Sequence, residues 1–133
     1  MAAALEDITQ DVKITNLSAG SAAKDRFASV LAEDEQIEMV FETITDKVFF
    51  TSKRIVVARH QGLTKNALYY SFPYSTVRCF GIDVDNPMTL IKDDSEVVFV
   101  LENGQKLQVA FKAKVDYKKI STLVLRYAQP DRR

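Results

Sequence analysis

From Gln36 to Lys112 apolar residues return at every second position, in short runs separated by polar punctuation, and no helical run intervenes. This pattern constrains the chain more than any other. "IEMVFETIT" sets Ile37, Met39 and Phe41 against Glu38, Val40 and Glu42, which is the alternation of a half-buried strand. "KVFFT" and "RIVVARH" follow, divided by Thr51-Ser52-Lys53-Arg54, and then come "ALYYSFPY" and "STVRCFGIDVD". "EVVFVLENGQKLQVAFK" reads as a hairpin around Asn103-Gly104, with the residues of a type I′ turn. Sequential strands without helices between them imply an antiparallel meander that closes partly into a barrel.

The flanks have a different period. Residues 1–33 are rich in alanine and read as a helical extension, with Leu5, Ile8 and Val12 as one weak stripe and Thr15-Asn16 and Ser18-Ala19-Gly20 as a break. A stronger stripe, Ala23, Phe27, Val30 and Leu31, follows Ser21 as N-cap. At the other end Asp116 caps a helix whose Ile120, Leu123, Val124 and Tyr127 share one face. That face must be buried, most economically against an open end of the barrel. The reading is therefore mainly β with α: a helical segment over 1–33, a seven-stranded half-open barrel with its capping helix over 34–128, and a solvated tail over 129–133.

Charge and composition exclude several functions. Lys plus Arg is 18 and Asp plus Glu is 18, so the net charge is zero. A nucleic-acid binder needs a basic footprint, and no nucleic-acid partner is expected. The N-terminal "MAAALEDITQDV" lacks the basic start of a signal peptide, no apolar run approaches a membrane span, and Cys79 is the only cysteine. The expectation is a cytoplasmic protein without disulfides.

Three of these segments carry a resemblance. "FFTSKRIVVARHQGLT" at 49–64, "YYSFPYSTV" at 69–77 and "LENGQKLQVAFK" at 101–112 resemble, in order and separation, the bacterial pleckstrin-homology-like family. Its pattern has a Phe-Thr-Ser/Asn-Lys-Arg strand start, a Gln-Gly-Leu-Thr loop and a Ser-x-Pro-Tyr strand end. Where members commonly have Gly-Glu before the first strand, this chain has Asp34-Glu35. The resemblance implies seven meandering strands under a C-terminal helix, assembly into homo-oligomeric rings, and no enzymatic activity.

Candidate sites are few. Lys47, Lys53, Arg54 and Arg59 lie near the first hairpins, where pleckstrin-homology domains hold phosphates, so anionic lipid or phosphate is one ligand class to test. The alternatives are that Thr51 to Arg54 form a tight polar turn, or that Arg54 pairs with a carboxylate to fix the hairpin. His60 is the only histidine and Cys79 stands alone, so no metal site, cofactor or catalytic set is expected within one chain, and a site of that kind would have to be built between subunits. Cys79 reads as a small buried residue. The acids from Asp83 to Glu96 lack the spacing of a calcium loop and read as a solvated loop.

One feature exceeds these readings. Val97, Phe99 and Leu101 occupy one face of a strand, and Val98 and Val100 the other. Two apolar faces need cover on both sides, from the N-terminal segment, from a second copy of the chain or from another protein. Val98, Val100 and Tyr70 are the candidate contacts of such an interface.

Overall fold

The structure is a computed structural model, and it describes residues 8–20, 30–60, 67–83, 95–112 and 115–128. In chain order these form β1 (Val12–Ala19), β2 (Ile37–Glu42), β3 (Asp46–Thr51), β4 (Arg54–His60), β5 (Ala67–Pro73), β6 (Val77–Asp83), β7 (Ser95–Leu101), β8 (Lys106–Phe111) and the helix α1 (Tyr117–Ala128). The strands make one eight-stranded sheet in the order β5-β4-β3-β2-β1-β8-β7-β6. A short 3-10 turn, Tyr74–Thr76, links the two outermost strands.

The meander and its capping helix match the sequence reading, but the strand count is eight rather than seven. The extra strand is β1, within the segment read as helical. It pairs β8 in parallel, Val12 with Leu107 and Ile14 with Val109, so the sheet is not wholly antiparallel. On its other side it pairs β2 only through Ser18 with Glu42 and Ala19 with Phe41. β1 thus joins the two halves of the sheet. Val12, Ile14 and Leu17 point into the core, and the step of three between the last two arises at a bulge, where Asn16 takes φ 61°. The second helical stripe, from Ser21 onward, lies mostly outside the described residues.

The inner faces of both halves share one core. Phe41 meets Phe111 edge-on, with centroids 4.7 Å apart, and Phe50 and Phe99 lie 6.3 Å apart, so the aromatic contacts cross between halves. α1 adds Ile120, Leu123 and Val124 to this core. Asp116 accepts the Lys119 N–H at 3.0 Å through Oδ1, the cap that its position implies. A second, smaller cluster holds Val40, Phe49, Val56 and Ala58 on the outer face of β2–β4, with Leu31, Ile37 and Tyr69 packed on it.

The β7–β8 hairpin differs in detail from the expected type I′ turn. Leu101 N donates to Gln105 O and Gly104 N to Leu101 O, so three residues form the loop. Only Gly104, at φ 91°, takes the left-handed conformation there. This is a type I turn closed by a glycine bulge, and Asn103 instead accepts the Gln105 N–H through Oδ1 at 2.9 Å.

Candidate functional site

Thr51 ends β3 and Arg54 begins β4, so only Ser52 and Lys53 connect them. The Thr51 hydroxyl accepts the N–H groups of Lys53 and Arg54, each at 3.0 Å, which is how so short a turn closes. The same hydroxyl donates to Glu35 Oε2 at 2.6 Å. Arg54 donates to that carboxylate twice, Nε to Oε2 at 2.7 Å and Nη2 to Oε1 at 2.9 Å. Its remaining donors reach Ser71 Oγ at 2.7 Å and Val30 O at 2.9 Å. The Glu35 side chain is fully buried and that of Arg54 is 21% exposed.

Burial by itself would raise the Glu35 pKa. Hydrogen bonds from Arg54, Thr51 and the Ala32 N–H, with the adjacent Arg54 charge, overcome it and hold the group at about 2 against an ordinary 4.5. Arg54 is therefore a structural clip between the segment before β2, the β3–β4 turn and β5. Of the two readings open to it, pairing with a carboxylate is the observed one. Glu35 was not singled out by sequence. The available signal was the Gly-Glu pattern, because Asp34 takes φ 67° and fills the place of a glycine ahead of Glu35.

The other cations do not converge. Lys53 is exposed at the turn. Lys47 Nζ lies 4.0 Å from Glu42 Oε1. Arg59 Nε lies 3.9 Å from Asp46 Oδ1, and its Nη2 donates to Lys13 O at 3.4 Å. Lys47 and Arg59 thus face carboxylates, and nothing here concentrates positive charge.

The proposed interface residues separate. Tyr70 is 4% exposed and packs in the main core, so it offers no outer surface. Val98 and Val100 are half-buried on the outer face of β7, opposite Gly81 and Cys79 of β6. Cys79 is exposed rather than buried. A register shift between Val77 and Cys79 turns it outward, which simple alternation misplaces. A Cβ at Gly81 would meet nothing within 4 Å, so this face is shallow and open. A cavity of about 320 Å³ lies over Gly81, Asp83, Glu96 and Val98. His60 ends β4, paired with Ala67. Among the described residues no cluster of His, Cys, Asp or Glu could hold a metal ion, and no helix is long and apolar enough to cross a membrane.

A larger cleft, about 810 Å³, opens between the β1 bulge and the β2–β3 loop. Lys13, Lys112, Glu42 and Asp46 are among its lining residues. Ile44 stands at its lip, fully exposed.

An open, strongly curved sheet under a C-terminal helix defines a pleckstrin-homology-like fold. The family described as "Bacterial PH domain" matches residues 9–128, and the chain belongs to it. The chain is 28% identical over 97 residues to the uncharacterized protein YjqA of Bacillus subtilis, covering 72% of this chain and 75% of that one. It is 30% identical over 69 residues to YozO of the same organism, covering 52% and 60%. Among solved structures, a DUF1696 family protein with a pleckstrin-homology domain from Shewanella loihica superposes with TM-score 0.65 at 23% identity, over 86% of this chain and 98% of that one. A pleckstrin homology domain from Shewanella amazonensis gives 0.55 at 23% identity, over 81% and 93%. These structural likenesses show the fold.

Proposed function

We propose that this chain is a non-enzymatic binding and assembly module that associates with copies of itself through the β6 edge and the outer face of β6–β7, closing into a ring. The observation that carries the reading is the difference between the two outer faces. Over β2–β4 the apolar residues are buried, with Leu31, Ile37 and Tyr69 packed on them. Over β6–β7, Val98 and Val100 stay partly open beside Cys79 and Gly81, and β6 pairs only β7 among the described residues. A strand with one edge unpaired among the described residues, beside a shallow apolar face, suits edge-to-edge pairing. The two outermost strands of the described sheet, β5 and β6, differ in sequence. Joining one to the other's counterpart in the next copy is head-to-tail, and head-to-tail contacts make closed rings when the rotation permits.

Multi-angle light scattering tests this directly. The expected result is a mass several times that of one chain, falling to the monomer in a Val98→Glu/Val100→Glu variant whose thermal unfolding is unchanged. A monomer at high micromolar concentration overturns the assembly. An unchanged multimer in the variant removes this face from it.

A further inference from the structure

We infer that residues 30–36 form a strap that opens as one unit while the sheet stays folded, and that Arg54 is its lock. Closed, the strap covers an apolar row on the outer face of β2–β4. The row is built by register: Val40 lies opposite Phe49 and Phe49 opposite Val56, with Ala58 further along β4. Residues directly opposite each other in a sheet share a face, and these four cluster apart from the main core. Ile37 and Tyr69 pack on the row from within the sheet itself. Among the described residues, Leu31 is the one from outside the sheet that packs there.

The strap is held at few points. Val30, Ala32, Glu33, Asp34 and Gln36 are exposed, while Leu31 and Glu35 turn inward. The strap is also bonded within itself. Ala32 N–H donates to Glu35 Oε1 at 2.8 Å, and Glu35 N–H to Ala32 O at 3.1 Å. Its ties to β4 all end on one guanidinium, which makes two bonds to Glu35 and a third to the Val30 carbonyl. The Thr51 hydroxyl adds one bond to Glu35, and Gln36 N–H donates to Ser52 Oγ at the foot of the strap. A segment bonded within itself and fastened mainly through one side chain moves as a unit when that side chain lets go. The lock is within reach of solvent, since Arg54 Nη1 donates to the hydroxyl of the exposed Ser71. The strap is thus an autoinhibitory cover. Any contact with the row requires the open form and is weakened by the fraction of chains that are closed.

Hydrogen exchange and thiol labelling of the full chain test this. The Ala32, Glu35 and Gln36 amides should exchange together, at a rate that low urea barely changes, because a local opening exposes little surface. The β3 and β4 amides should exchange only by global unfolding, with a steep urea dependence. Arg54→Lys should speed the three strap amides at least about tenfold, because an ammonium cannot make the paired contact. For the row, Ala58→Cys and Val57→Cys are each made in a Cys79→Ser background. The two positions are neighbours on β4, but Ala58 faces the row and Val57 the main core. Ala58→Cys should label at least about tenfold faster than Val57→Cys, and faster again with Arg54→Lys. Strap amides that share the urea dependence of β3 and β4 overturn the inference, because the strap then opens only with the whole fold. So does equal labelling at the two cysteines, or faster strap exchange in Arg54→Lys with unchanged labelling at position 58. None of these readouts depends on oligomeric state, so failure of the assembly proposal leaves the test intact.

Discussion

Glu35 and Arg54 show how one pair of residues decides what a local motif means. The cations of Thr51-Ser52-Lys53-Arg54 looked available to a ligand, yet the Arg54 guanidinium is spent on Glu35, Ser71 and Val30. Arg54→Ala leaves a buried carboxylate without its counter-ion and should lower stability by about 3 kcal/mol in urea unfolding. Arg54→Lys should recover only part, since an ammonium cannot make the paired contact. The pH dependence has a definite sign. Glu35 is near 4.5 when unfolded and about 2 when folded, so its stabilisation is complete above pH 4.5 and disappears as pH falls towards 2. Its size is on the order of 3 kcal/mol, and Glu35→Gln should flatten the stability profile across that window. The basic half of this clip was visible in sequence. The acidic half lies far from it along the chain, and only the fold brings the two together.

At the scale of elements, β1 is the main correction. Val12 and Ile14 alternate as a strand should, but Leu17 follows after three residues, a spacing that a helix also produces. The bulge at Asn16 causes that step, and no local rule distinguishes it from helical phase. Asn16 tolerates φ 61° where a β-branched residue does not. Asn16→Val should cost about 1–2 kcal/mol and Asn16→Gly little, by thermal unfolding. The β7–β8 hairpin behaves in the same way. Gly104→Ala at φ 91° should destabilise by about 1 kcal/mol or more, although a Cβ there meets no atom. The strands from β2 to β8 were legible because each buries alternate residues. The turn type was not, because Asn-Gly serves both a two-residue and a three-residue loop.

For the whole molecule, one core shared by both halves makes them interdependent. Residues 12–19 are integral to the fold, because Val12, Ile14 and Leu17 fill the core and β1 links β2 to β8. A chain starting at Gly20 should lose cooperative unfolding and bind a hydrophobic dye. Leu107→Ala, fully buried beside Val12 of β1, should cost about 3 kcal/mol in thermal unfolding.

Sequence alone determined the β-rich meander, its capping helix and its family likeness, since these rest on residue period, turn chemistry and motif order along the chain. Only the tertiary structure decided which cations face carboxylates, that β1 is a strand parallel to β8 and which apolar face is packed over by Leu31, Ile37 and Tyr69. Each of these depends on which distant residue lies across a gap: Glu35 from Arg54, Leu107 from Val12, Leu31 from the outer face of β2–β4. Periodicity tells which side of an element is apolar. It does not tell what that side meets.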